Sequence, residues 1–394
     1  MKCIVLAGGR GDRLWPLSRK NYPKQFIAIS GSHSIFQETI ARNMAFCDEF
    51  VVVTNREYQF IVENQLKAFQ GLTWRLVLEE EARKTTAAIL LACLEFPLSE
   101  LIFIVPSDHL IQGEAYKDAI NEAGILARQG GLVTFGMPVL EPETRFGYIC
   151  CDGDRVVSVA EKPDEKQAEA YQASGRYLIN SGMFLFRNGD MLQEVRRRSP
   201  EVIWACERAF EGKLVEKGRH IFYRREVLEQ IPAQPIEETV FGETDLGRVV
   251  RARFDWQDVG SLEDLGKNEL MTQKDLRQAQ YDCENTLIIN RGSRSIVVAN
   301  HVKDVTIVNT DDAVYVGKTG ASEELKELRR ENPALRQEVI PEAEPIPETI
   351  PSAEPVEERI PSAEPVEDDI PLAEPVVCAG SRAVVKGGAG LRWN

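Results

Sequence analysis

Apolar residues gather into short runs along the first half of the chain, and longer amphipathic stretches separate them. Cys3–Ala7, Phe50–Thr54, Trp74–Leu78, Leu101–Val105 and Leu132–Phe135 have the length and continuity of buried strands. Ser34–Phe46, Glu57–Phe69, Thr85–Phe96 and Ala115–Gln129 repeat their apolar positions at helical spacing. The alternation predicts an α/β fold: a Rossmann-like mixed sheet, mostly parallel, covered by helices on both faces. Ligands of such sheets bind beyond the carboxyl ends of the strands. The turns after Ala7 and after Val105 both lie at such ends, so they can face one cleft.

From Tyr148 the rhythm changes. Tyr148–Cys151, Val156–Ala160 and Tyr177–Phe186 read as strands, Glu165–Ala173 as a helix, and 189–212 as two more. An irregular segment rich in Pro and Glu follows, then a strand over Val249–Phe254 and a helix start after Ser261. Between Asp282 and Lys318, four brief alternating runs (Thr286–Ile289, Ser295–Val298, Val305–Val308, Ala313–Val316) predict a small β domain. Ser322–Glu338 reads as a charged terminal helix. The tail differs in kind. Ile340-Pro, Ile350-Pro, Ile360-Pro and Ile370-Pro each open a ten-residue repeat carrying Ala-Glu-Pro. Recurrent proline and like charge predict an extended, solvated segment. The expected organisation is a large α/β domain over 1–270, a small β domain with its helix over 282–338, disordered repeats over 339–377, and an unassigned 378–394.

Charge changes the picture only by its location. Of the formal −15, eleven acidic residues against one arginine between Ile340 and Val377 supply −10, which leaves the remaining chain at −5. That body is not basic enough to suggest a nucleic-acid surface. Eight cysteines show no CxxC and no framework spacing, as expected in a reducing compartment. The N-terminal apolar run breaks at Gly8, too early for a leader or a membrane span. A cytoplasmic protein is the expectation.

Candidate chemistry begins at Lys2–Gln25. Gly8, Gly9 and Gly11 free the backbone to lay its N–H groups against an anion, and Arg10, Arg13, Arg19 and Lys24 bring positive charge to the same mouth. Strand, glycine turn and cations together read as a triphosphate cradle; a basic surface turn explains the composition equally well. No Gly-Lys-Ser/Thr follows, and Leu14 stands where the dinucleotide fingerprint has its third glycine, so neither common phosphate loop applies. Asp108, in Pro106-Ser-Asp-His109, follows a buried run directly. A carboxylate there can hold a cation in the cleft or simply cap a turn. By themselves, Asp258 is a turn residue and Glu161-Lys162 a surface ion pair at a strand end.

The order of these motifs adds a resemblance. Gly8-Gly-Arg-Gly-Asp-Arg-Leu-Trp-Pro-Leu-Ser-Arg19 followed by Tyr22-Pro-Lys-Gln-Phe26 resembles the signature loop of the sugar-1-phosphate nucleotidylyltransferases, in the form seen in the mannose-1-phosphate guanylyltransferases. Pro106-x-Asp-His, Trp256-x-Asp-Val-Gly-Ser, Glu161-Lys-Pro, the Pro142–Ile149 segment and Asn180-Ser-Gly-Met-Phe are similar to further motifs of that family, and the likeness runs over about residues 1–335. The resemblance implies Mg²⁺-dependent guanylyl transfer from GTP to mannose 1-phosphate, by in-line attack on the α-phosphate, giving GDP-mannose and pyrophosphate. Since the attacking phosphate oxygen is already ionised, such chemistry needs cations rather than a general base.

Residue by residue, it implies Arg13, Lys24, Asp108 and Asp258 as catalytic, with Asp108 and Asp258 on the metal. The nucleotide would lie against Leu6, Ala7, Gly8, Gly9, Gly11, Arg13, Lys24, Lys84, Thr85, Ser107 and Asp108. The sugar phosphate would meet Gly147, Glu161, Lys162 and Asn180. Arg10 and Asp12, Lys84 for the family's Asn, and Glu237 for its Asp are departures, the last two bearing on base and sugar. Another base or hexose 1-phosphate is the nearest alternative, and a catalytically silent sugar-nucleotide-binding paralogue the next. Neither a nucleic-acid nor a membrane partner, nor a fused isomerase, is expected, and a homodimer is left open.

Overall fold

The computed structural model describes residues 1–30, 33–266, 277–332 and 335. The repeats over 339–377, the segment 378–394 and the end of the expected Ser322–Glu338 helix lie outside the described residues.

Lys2–Leu6 is the centre of the first half. It pairs in parallel with Glu49–Asn55 on one side and Leu101–Pro106 on the other. Trp74–Glu79 and then His220–Tyr223 extend the parallel set outward. Alternate residues of the first strand enter different cores, Cys3 and Val5 on one face and Ile4 on the other. A strand buried on both sides explains the unbroken apolar run. His220–Tyr223 and the short Leu214–Glu216 beside it lie in a stretch whose Pro and Glu content reads as irregular.

The mostly parallel sheet expected from the alternation is corrected in the second half. Tyr177–Arg187 runs antiparallel to Leu101–Pro106, to Leu132–Pro138 and to Tyr148–Asp152. Tyr148–Asp152 and Arg155–Ala160 form a hairpin whose tight turn, with Gly153 at φ +61°, permits only antiparallel pairing. Among the described residues the sheet is mixed: eleven strands, parallel from His220–Tyr223 to Leu101–Pro106, with Leu214–Glu216 antiparallel at that edge and largely antiparallel pairing at the other end.

That second end closes on itself. Tyr177–Arg187, Leu132–Pro138, Gly247–Arg251, Arg155–Ala160 and Tyr148–Asp152 pair in a ring. Ile149, Cys151, Val156, Leu178 and Val249 fill it. A Cβ on Gly136 would fall 2.5 Å from Leu178 Cδ1, and one on Gly247 would fall 3.0 Å from Val156 Cβ. A side chain at Gly136 would force Leu178 to shift, and one at Gly247 would press on Val156.

After residue 277 the chain winds through two stacked turns. Gln278–Tyr281 pairs in parallel with Val297–Asn300, and Leu287–Asn290 with Val305–Asn309. Equivalent positions sit 19 residues apart, as in the Asn309 to Asn290 side-chain hydrogen bond of 2.7 Å. Asp282, Asn285, His301 and Asp304 turn the corners with positive φ. This unit shares a core with the signature loop: Leu14, Leu110, Val259, Ile289, Val308 and Leu325 pack together. No helix among the described residues is long and apolar enough to cross a membrane.

One carboxyl is buried in the sheet itself. Glu79 is 5% exposed, its Oε1 has no hydrogen-bond partner among the described residues, and burial pushes its pKa up to about 8. A carboxyl raised from its ordinary 4.5 in the folded state holds a proton that the unfolded chain gives up. Its contribution is therefore intact below pH 4.5 and falls as pH rises toward 8. Glu79→Gln, neutral at every pH, should gain melting temperature over the parent at pH 8 relative to the difference at pH 4.5. Thermal denaturation at the two values checks this, and an equal difference at both would refute it.

Candidate active site

The loop after Lys2–Leu6 is held from behind. Gln25 Nε2 donates to the carbonyls of Ala7 and Gly9 at 3.0 and 2.9 Å, and Thr54 Oγ1 donates to Ala7 O at 2.8 Å. Ser107 N donates to Leu6 O at 3.0 Å, which joins the ends of two neighbouring strands. Gly8 and Gly9 face open space, with nothing within 4 Å of where a Cβ would stand. Gly11 has a different reason to be glycine. Its φ is +65°, and a Cβ there would fall 2.7 Å from Lys24 Cβ and 2.9 Å from Lys24 N. The loop and Lys24 are thus built against each other.

A short two-stranded ribbon then assembles the charged centre. His109–Gln112 pairs antiparallel with Asp255–Asp258, and His109 lies opposite Asp258. This register sets Asp108 beside Asp258 although they are far apart in sequence. Lys24 Nζ sits between them, 2.8 Å from Asp108 Oδ2 and 3.0 Å from Asp258 Oδ1, and it also donates to Val259 O at 2.9 Å. Burial alone would lower the Lys24 pKa, but the two carboxylates outweigh it and hold the ammonium well above its ordinary value. For Asp108, burial pushes up while Lys24 pulls down, with a net lowering. Both groups are ionised at neutral pH.

Asp108, His109 and Asp258 bring donor atoms within 4.8 Å of one another. The carboxylates suit a hard divalent cation such as Mg²⁺ and keep a quarter of their surface open to solvent. His109 does not fit the ligand role. Burial pushes it below the usual histidine range despite Asp108 and Asp258, and its Nδ1 accepts from Trp256 Nε1 at 3.2 Å. A neutral ring accepting at Nδ1 carries its proton on Nε2, so neither nitrogen has a free lone pair. The imidazole instead braces the ribbon.

The other expected cations divide. Arg13 pairs with Glu323 at 3.1 Å and is half exposed. Arg10 is exposed and pairs with no described residue. Arg19 does not join the mouth: it is 5% exposed, bonds Asp312 at 2.6 Å and lies over the Trp15 ring. It ties the loop to the stacked turns. Asp12, a negative charge at an anion loop, meets Arg329 at 3.1 Å and is neutralised there.

Asn180, Glu161, Lys162 and Gly147 form a second group, which Glu237, Lys84 and Thr85 join. Asn180 Nδ2 donates to Glu237 Oε1 at 2.9 Å, and Thr134 Oγ1 donates to Asn180 Oδ1 at 3.2 Å. Asn180 N donates to Gly147 O at 2.8 Å, and a Cβ on Gly147 would stand 3.0 Å from Glu161 Oε1. Glu237 opens a widened helical turn closed by Gly242 N donating to Glu237 O. Burial first, then Glu161, pushes the Glu237 carboxyl up. Glu161 is also raised, by desolvation and Glu238, against the pull of Lys162 and Lys84. Lys162 and Lys84 both hold positive φ, +38° and +59°, a conformation that costs a residue with a Cβ about 1–2 kcal/mol. Thr85 Oγ1 accepts from Ile236 N at 2.9 Å, fastening this helix start to the Glu237 turn.

Beside Asp258 lies a cleft of about 960 Å³, lined also by Ile179, Phe146 and Trp256 among others. Arg145 spans its wall, from Glu143 at 2.7 Å to Asp264 at 2.8 Å. Asp264 in turn accepts from the backbone of Gly260 and Ser261 at 3.1 and 2.9 Å, which shapes the turn after Asp258. Gln25 and Arg145 lie inside quoted motifs without an assigned role, and Glu237 is read only as a departure from the family pattern. Asp264 carries no sequence signal beyond its adjacency to the Trp256–Ser261 motif.

Comparison with known proteins accords with this geometry. The nucleotidyl transferase family matches residues 2–275. The xanthan biosynthesis protein XanB of Xanthomonas campestris pv. campestris is 38% identical over 340 residues, covering 82% of this chain and 72% of that protein. The mannose-1-phosphate guanylyltransferase of Escherichia coli is 35% identical over 349 residues, covering 82% and 72%. A crystal structure described as a mannose-1-phosphate geranyltransferase from Thermus thermophilus superposes with a TM-score of 0.70 at 26% identity, covering 84% of this chain and 98% of that one. The chain belongs to the nucleotidyl transferase family and is an enzyme of that type.

Proposed function

We propose that this enzyme transfers the guanylyl group of GTP to mannose 1-phosphate and releases pyrophosphate. The observation that carries the reading is the convergence of Lys24, Asp108 and Asp258, with Lys24 packed against Gly11 of the glycine loop. In this reading Gly8, Gly9 and Gly11 receive the triphosphate with Arg13 and Lys24. Lys84, Thr85 and Ser107 border the nucleotide. Asp108 and Asp258 would hold Mg²⁺, which supplies charge stabilisation for the leaving pyrophosphate. Relatives named mannose-1-phosphate guanylyltransferase support the choice of base and sugar. The free thiols of the described cysteines accord with a cytoplasmic setting.

The sugar phosphate is assigned to the opposite wall. Lys24 and Arg13 are committed to the triphosphate in this reading, so the second anion needs its own cation, and Lys162, whose charge acts on the neighbouring Glu161, is assigned to it. A charge-assisted hydrogen bond contributes roughly 1.5–3 kcal/mol. Lys162→Ala should therefore raise the KM for mannose 1-phosphate about 10- to 150-fold and leave that for GTP nearly unchanged. Asn180→Ala and Glu161→Gln should erode discrimination between hexose epimers. Steady-state constants for both substrates test the assignment. A Lys162→Ala enzyme that loses GTP affinity instead would reverse the two sides of the cleft. Specificity is read from kcat/KM across four triphosphates and several hexose 1-phosphates, where preference for another pair would replace guanine or mannose in this reading.

A further inference from the structure

We propose that Lys24 is a resident counter-ion that a divalent metal must evict: its ammonium fills the seat between Asp108 and Asp258, and the metal enters as Lys24 swings to the triphosphate. The inference rests on the functional reading above and adds an order of events to it. An ammonium has three hydrogens to donate. In Lys24 all three have acceptors, Asp108 Oδ2 at 2.8 Å, Asp258 Oδ1 at 3.0 Å and Val259 O at 2.9 Å. As placed, Lys24 has nothing left to offer a phosphate. The residue is 9% exposed and its root is pinned against Gly11, so the tip must move while the backbone stays.

Charge decides between addition and exchange. A divalent cation joining Lys24 would set three positive charges against two carboxylates at close range. Exchange leaves the metal neutralised by the pair and sends the lysine to an anion that needs it. Metal alone must push the ammonium out with no partner to receive it. Triphosphate supplies that partner, so each ligand should strengthen the other's binding.

The test uses the full chain and Mn²⁺ alone, with free Mn²⁺ counted by electron paramagnetic resonance. Lys24→Met should bind Mn²⁺ about 5- to 150-fold more tightly than the parent, the ordinary span of such coupling. Equal or weaker binding would overturn the proposal. Lys24→Gln carries the same expectation and serves if the Met variant melts early. Loss of charge alone would also tighten binding, so displacement is read separately in the unmutated protein. Nitrogen-15 spectra should show one slowly exchanging lysine ammonium signal, absent in the variants, that disappears with Mg²⁺ and the α,β-methylene analogue of GTP. A signal that persists unchanged at saturation would also overturn the exchange, whatever the Mn²⁺ result. Neither readout involves turnover, so an enzyme that prefers another base or sugar still answers the question.

Discussion

Asparagine at Asp108 or at Asp258 is expected to lower turnover by about 10²- to 10³-fold while the fold persists. The two carboxylates share one ammonium in the structure, and in the proposed reaction they share one metal. Either substitution leaves Lys24 one carboxylate and the Val259 carbonyl, enough to keep a buried cation compensated. Removing both carboxylates is different, because an uncompensated buried charge costs about 3–5 kcal/mol. The double variant must therefore be assayed well below its lowered melting temperature. Its turnover should be hardly worse than that of the weaker single variant, since groups that act as a unit are strongly non-additive. A double variant showing the product of the two single effects would mean that the carboxylates act on separate events.

Alanine at Gly11 should be nearly as damaging, by another route. The positive φ costs a residue with a Cβ about 1–2 kcal/mol. The new methyl would also stand 2.7 Å from Lys24 Cβ, a separation that real side chains do not tolerate. Something must shift, and the neighbour in the way carries the ammonium at the proposed catalytic centre. Misplacement on the scale of 1 Å at such a centre costs about 10²-fold in rate. Gly9→Ala is the control, because nothing lies within 4 Å of its Cβ position. Melting temperature and kcat for the two variants check the argument. Equal kcat losses with no stability difference would show that the glycines serve the ligand alone.

What is legible in the sequence depends on the range of the interaction. Parallel strands such as Lys2–Leu6 announce themselves because burial on both faces leaves an unbroken apolar run. The glycine loop announces itself because chemistry there is written in consecutive residues. The antiparallel closure of the second half is hidden, since one apolar pattern serves either direction of pairing. The stacked turns after residue 277 read as four separate alternations. The 19-residue offset that sets Leu287–Asn290 on Val305–Asn309 is visible only when Leu-Ile-Ile-Asn is laid over Thr-Ile-Val-Asn. Asp108 and Asp258 stand out by their motifs, yet only the pairing of His109 with Asp258 makes them neighbours. Arg19 shows the opposite error. Its place in the loop suggests a phosphate contact, and the fold turns it toward Asp312. Asp12 looks out of place until Arg329, far along the chain, arrives beside it.

One product analysis tests the central claim most directly. The full chain, incubated with GTP, mannose 1-phosphate and Mg²⁺, should yield GDP-mannose and pyrophosphate in equal amounts by phosphorus NMR, with neither formed when a substrate is omitted. Asp108→Asn under the same conditions should form about a hundredth as much or less. Tight binding of GDP-mannose without any pyrophosphate release would contradict the proposed reaction and leave a sugar-nucleotide-binding protein that does no chemistry.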